Sequence, residues 1–130
     1  MIPVTEQQMI DAVCENPLNI QHILNAPESV QLEAVSRDGL AIAYIINPSR
    51  KVQMAAVLEF SLAIEYIDNP CVEAQLIAVT NNPESVKYIV YPHLAVQMWL
   101  AERGNVSFLL IKNPSRETVR IYNNARQHKQ

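Results

Sequence analysis

The sequence predicts an all-α solenoid of about five short two-helix repeats, and three observations carry that prediction. The chain matches itself at a spacing of 22 residues almost from end to end. Val30-Gln31-Leu32-Glu33-Ala34-Val35 falls on Val52-Gln53-Met54-Ala55-Ala56-Val57, then on Ala74-Gln75-Leu76-Ile77-Ala78-Val79, then on Val96-Gln97-Met98-Trp99-Leu100-Ala101. A fixed period of this size marks a repeat architecture. Each period also holds two helix-start signals. Strand signals are missing, since the chain has only 2 Gly and its β-branched residues fall at helical spacing.

With position 1 set at the Val of the Val-Gln pair, copies begin at Gln8, Val30, Val52, Ala74 and Val96. A partial copy starts at Val119, one residue late, because Ser115-Arg116-Glu117-Thr118 reads as an insertion. Residues 1–130 form one domain, with 126–130 as a frayed tail. The first start signal is the column Asn25, Asn47, Asn69 and Asn113, with Pro27, Pro48, Pro70 and Pro114 close behind. Asn caps a helix through its side-chain oxygen, and Pro in the first turn has no amide proton to leave orphaned. The second signal is Asn16, Asp38 and Asn82, two of them followed by Pro17 and Pro83. Phe60 breaks this column, so Ser61 is expected to cap one residue later, and Gly104-Asn105 does the same work in the last full copy. Two starts per period leave one helix of about 11 residues and one of about 8. The shorter carries Ile20-x-x-Ile23, Ile42-x-x-Ile45, Ile64-x-x-Ile67, Val86-x-x-Ile89 and Phe108-x-x-Ile111. Helices this short are marginal alone in water and must be held by their neighbours. The column Ala12, Ala34, Ala56 and Ala78 lets them approach closely, and Leu100-Ala101 reverses the pair at roughly constant volume.

Charged residues make up 18% of the chain and apolar ones 49%, a folding composition. The net charge of −3 is too mild to argue for nucleic acid. Its distribution is polar along the chain: no Lys or Arg precedes Arg37, while Arg103, Lys112, Arg116, Arg120, Arg126 and Lys129 crowd the end against Glu117. Cys14 and Cys71 share no repeat position and no CxxC spacing, which makes them small apolar fillers in a reducing compartment. The opening residues lack the features of a secretory leader, and no uncharged stretch reaches membrane-spanning length. A cytoplasmic location without membrane contact is expected.

The pattern Ala-Ile-x-Tyr-Ile-x-Asn-Pro-Ser-x-x-Val-Gln-x-x-Ala-Val, here Ala41 to Val57 and more loosely Ala63 to Val79, resembles a short tandem two-helix repeat. Arrays of that type occur in uncharacterised proteins of large bacteriophages and giant viruses. The resemblance covers roughly residues 8 to 125, with departures at Tyr91 for Asn and Leu110 for Tyr. More distantly the unit is similar to HEAT and armadillo repeats. The resemblance implies a right-handed α–α superhelix and a viral origin, and it brings no catalytic residue.

No residue pattern points to catalysis, a metal or a cofactor. His22 stands in the column Tyr44, Tyr66, Tyr88 and reads as a packed ring with a wet tip, while His93 and His128 lie in a junction and the tail. The tyrosine column lacks the basic stripe of a base-stacking platform, since Gln21, Ala43, Glu65 and Lys87 precede it. The column Gln31, Gln53, Gln75 and Gln97 reads either as an amide ladder between repeats or as a polar groove for an extended peptide. Position 4 runs Asp11, Glu33, Ala55, Ile77, Trp99, Tyr122, from acidic to aromatic, and position 8 runs Glu15, Arg37, Glu59, Asn81, Arg103. Ile77, Trp99 and Tyr122 rimmed by Arg103 and Arg120 have the composition of a binding hot spot, unless the tail folds over them. The function expected is a non-catalytic protein-interaction module or scaffold with an unidentified protein partner. Its alternatives are a small phage effector that blocks a host or defence enzyme, and nucleic-acid binding through Arg116, Arg120, Arg126 and Lys129. Homo-oligomers, head to tail or as closed dimers, are allowed.

Overall fold

The computed structural model describes residues 5–128, and every regular element among them is helical. Met1 to Val4 and Lys129 lie outside the described residues, and with them the leader reading and the last cation of the tail. The α-helices are α1 (Glu6–Glu15), α2 (Glu28–Arg37), α3 (Arg50–Glu59), α4 (Val72–Asn81), α5 (Leu94–Glu102) and α6 (Arg116–Gln127). Between them lie 3-10 helices: η1 (Pro17–His22), η2 (Gly39–Tyr44), η3 (Ser61–Tyr66), η4 (Pro83–Tyr88) and η5 (Val106–Leu110). Each α-helix packs on the α-helices before and after it, and each 3-10 helix on the next one. The substantial contacts thus join consecutive units. The first residues of α2 to α6 are spaced by 22, so the register never slips. The insertion expected before Val119 is absent: Thr118 takes position 1 and is fully buried, as are Val30, Val52, Ala74 and Val96. Arg126 and Gln127 belong to α6, inside the tail expected to fray from 126.

The shorter helix is 3-10, in which residues i and i+3 eclipse, and its buried apolar residues recur at that spacing. Ile20 and Ile23, Ile64 and Ile67, Val86 and Ile89, Phe108 and Ile111 are all buried on that basis. One residue in extended conformation separates each of α1 to α4 from the 3-10 helix after it. Asn16 (φ −152), Asp38 (φ −150) and Asn82 (φ −147) close the α-helix with their backbone N–H and open the next element with their side chains. Their Oδ1 atoms accept from Leu18, Leu40 and Glu84. Phe60 takes the same backbone place with no side-chain cap, and Ser61 is simply the first residue of η3. Gly104 (φ 58) ends α5 differently, in a Schellman turn: its N–H donates to Ala101 O at 3.0 Å and the Asn105 N–H to Leu100 O at 3.0 Å.

The asparagines before the prolines are not the helix caps. Asn25, Asn47 and Asn69 have φ of 54°, 51° and 49°, the left-handed region that Asn tolerates better than other side chains. Proline disfavours the right-handed helical region in the residue before it, and a positive φ lets the chain reverse from a 3-10 helix into the next α-helix. The cap falls two residues later: Ser49 Oγ accepts from Val52, Ser115 Oγ from Thr118, and His93 Nδ1 from Ala95 at 3.0 Å. Pro27 and Cys71 fill this place without a side-chain bond.

The glutamine column binds the units together. Nε2 of Gln31, Gln53, Gln75 and Gln97 donates to the carbonyl of Ala26, Pro48, Pro70 and Pro92 at 2.9, 3.1, 2.9 and 3.1 Å. Oε1 of Gln53, Gln75 and Gln97 accepts from the backbone N–H of Cys71, His93 and Ser115 in the following junction, at 2.8 Å each. Those N–H groups belong to the residues at the N-cap of the next α-helix, and the ladder reading of the column holds.

Replacing Gln75 by Ala removes the partner of both Pro70 O and His93 N in a part-buried junction. A loss of about 2–4 kcal/mol in denaturant unfolding is expected, more than for loss of a single bond. Ser85 supplies the opposite case. Its hydroxyl is fully buried and has no hydrogen-bond partner, where Ala41 and Ala63 stand in other units. Ser85→Ala is therefore expected to raise the unfolding midpoint, with a gain on the order of 1 kcal/mol.

Candidate interaction surface

The patch expected around Trp99 is only partly assembled. With the register unbroken, Tyr122 follows Leu100 and the Ala column, not Trp99. It is 6% exposed and its ring stacks on Phe108 at 4.7 Å and 18°. Tyr122 is therefore core, a correction that follows directly from the missing insertion. Ile121 takes the surface column in its place and is half-buried. Ile77 and Trp99 are half-buried and pack against the core. Arg103 does meet Trp99: its guanidinium carbon sits 4.3 Å from the ring centroid, and it donates to Trp99 O at 3.0 Å. Arg120 is exposed on α6.

The four most exposed large apolar side chains lie elsewhere, along the edge where each 3-10 helix turns into the next α-helix. Leu24 is 86% exposed, Ile46 88% and Val90 76%, all at one repeat position, and Tyr91 beside them is 84%. Asp68 and Lys112 complete that column, both exposed. Tyr44 and Tyr66 stand half out of the same edge, and the ammonium of Lys87 lies 5.1 Å over the ring of Tyr88. The edge is indented. A hollow of about 620 Å³ is lined by His22, Leu24, Asn25, Gln31, Tyr44 and Ile46. Another, of about 580 Å³, is lined by Asp68, Asn69, Gln75, Tyr88, Val90 and Tyr91. They are the same place two repeats apart. The sequence signal for this edge is the doublets Ile23-Leu24, Ile45-Ile46 and Ile89-Val90. The first member of each is the extended residue that closes the 3-10 helix and is buried or half-buried, so the second, on the opposite side of the extended backbone, is presented to solvent. The floor of the hollows is not a free amide row, because the glutamine side chains there are bonded to junction backbone.

The titratable groups are structural in their contacts. Arg37 pairs with Glu33 at 2.9 Å, and that bond, with a weaker one from Cys14 Sγ at 3.5 Å, holds the Glu33 carboxyl below the usual carboxylate range. Partial burial first, and then the same Glu33 contact, push the Cys14 thiol up, away from thiolate chemistry. His93 spends Nδ1 as a helix cap. Among the described residues, no three His, Cys, Asp or Glu are grouped to hold a metal ion. No described helix is long and apolar enough to cross a membrane. No protein-family model, no curated protein and no solved structure matches the chain.

Core and surface members of the expected patch separate in one experiment. Tyr122→Ala removes a buried stacked ring and is expected to lower stability by about 3–5 kcal/mol. Arg120→Ala, on the same helix but exposed, is expected to leave the melting temperature within about 2 °C of the parent.

Proposed function

We propose that the chain is a right-handed α-solenoid that works as a non-catalytic protein-binding module in the cytoplasm, and that its partner docks along the indented edge of Leu24, Tyr44, Ile46, Val90 and Tyr91. The solenoid reading is supported by the unbroken spacing of the helices and by packing that joins consecutive units. The binding reading is carried by one observation: Leu24, Ile46, Val90 and Tyr91 are each more than three-quarters exposed, more than any other large apolar side chain among the described residues. Aliphatic and aromatic side chains held out on a rigid edge, beside hollows that can take a partner's side chains, fit a hot spot with ready pockets. Glu65 and Asp68 near the second hollow oppose a phosphate track, which favours a protein over a nucleic acid.

Ile46→Asp and Val90→Asp test this. Neither side chain contributes much to the core, so each variant is expected to melt within about 2 °C of the parent. Affinity capture from a cell lysate should retain a partner on the parent and lose it by tenfold or more on both variants. A partner retained equally by all three, or turnover of a substrate, overturns the reading.

A further inference from the structure

The two ends of the array differ from its middle in a directed way. In α2 to α5, position 1 is Val or Ala and fully buried, and position 4 is half-buried. In α1 these places hold Gln8 and Asp11, both exposed, with Glu15 exposed one turn on. They mark the side of an α-helix that faces the preceding unit. The opposite side shows in α6. Position 3, half-buried as Leu32, Met54, Leu76 and Met98, is exposed Arg120 in α6. Position 6, fully buried as Val35, Val57, Val79 and Ala101, is exposed Asn123. These replacements mark the sides of α1 and α6 on which no further unit packs among the described residues.

Those two sides are the two halves of one contact. At each internal boundary, the side equivalent to the outer face of α6 packs on the side equivalent to the outer face of α1. Their shapes therefore correspond, while their chemistry has changed from apolar to charged with opposite sign. On these outer faces the head carries Asp11 and Glu15, and the tail carries Arg116 and Arg120. Polar pairs across this kind of boundary exist inside the chain. Ser29 Oγ donates to Glu6 Oε1 at 2.6 Å between the starts of α1 and α2, and Arg50 pairs with Glu73 at 3.0 Å between the starts of α3 and α4. Arg116 stands at the repeat position of Arg50.

We propose that copies of this chain associate head to tail, the acidic outer face of α1 of one copy docking on the basic outer face of α6 of the next. Such a contact is heterologous, so it leaves both outer ends free and builds open chains or rings instead of stopping at a dimer. It is electrostatic and rests on exposed side chains, hence strongly salt-dependent: the screening length is about 20 Å at 20 mM salt and about 4 Å at 0.5 M. The proposal uses a different surface from the edge of Ile46 and Val90 and does not depend on it.

Sedimentation velocity on the full chain tests this. At about 20 mM salt the weight-average mass should climb with concentration past twice the 14.7 kDa monomer, and return to 14.7 kDa near 0.5 M. Asp11→Arg alone and Arg120→Glu alone should each remain at the monomer mass with an unchanged melting temperature. The chain carrying both changes should associate again, because the reversed charges meet. Ile46→Asp should associate like the parent. A monomer at every concentration in low salt overturns the proposal. So does a dimer that persists at 0.5 M, which would be a closed apolar contact, or failure of the double variant to recover. Association that requires added DNA or RNA would assign the basic end to phosphate instead.

Discussion

The bond that the rest of this molecule depends on is the two-ended amide of the glutamine column. Each junction from Pro48 to Pro92 presents a carbonyl at the proline, and the following cap residue an N–H, both in part-buried places. A buried, unpaired backbone group costs about as much as several good apolar contacts gain. One glutamine answers a carbonyl of its own junction and an N–H of the next, so a single side chain both satisfies the turn and sets the distance to the neighbouring unit. The register through 115–118, where the sequence by itself suggests a slip, is tied by the Ser115 cap on the Thr118 N–H and by the Thr118 hydroxyl, which joins the Gln97 acceptor at 3.0 Å and also meets Ser115 O at 2.9 Å. Those bonds accommodate a polar replacement for the Val or Ala of other copies.

Much of the fold was legible because the repeat turns one chain into several readings of the same environment. The period, the absence of strand signals, the Asn-or-Asp openings of the 3-10 helices and the amide ladder all follow from residue columns. What escaped did so for local reasons. Asn followed by Pro reads equally as a cap or as a left-handed turn, and only the three-dimensional reversal of the chain decides for the turn at Asn25, Asn47 and Asn69. A three-residue apolar spacing reads as a short α-helix, because Leu24, Ile46 and Val90 supply an apolar i+4 member whose exposure only the structure reveals. Tyr122 was displaced from core to surface by a single misplaced residue in the alignment of the last copy, since one step along a helix rotates a side chain by 100°.

The candidate site was less legible, because a column that changes along the array invites a functional reading. The run from Asp11 to Trp99 at position 4 looks like a face that becomes sticky. In the structure it is the side turned to the preceding unit. Asp11 lies at the outer end with solvent beyond it, Glu33 is accommodated by Arg37 and Cys14, and from Ala55 onward the residues are apolar and half-buried against the core. The gradient therefore records a capped end more than a binding patch, and Arg103 folded over Trp99 covers part of what remains.

The exposed edge stands out by the opposite logic. Positions that the fold needs are uniform: Val or Ala where α-helices meet, Gln at the junction, Ile where the 3-10 helices dock. The column of Leu24, Ile46, Asp68, Val90 and Lys112 is not uniform, and it tolerates a carboxylate and an ammonium, so no large apolar residue is required there for packing. Leu, Ile and Val at three of those places leave hydrocarbon in water and bring the fold nothing in return. A helical array with saturated junctions can carry such residues without collapsing onto them, because the backbone that holds them out is fixed from both sides by the amide bridge. The same rigidity that makes the core indifferent to this edge makes the edge a preorganised surface, where docking orders little that is not already ordered.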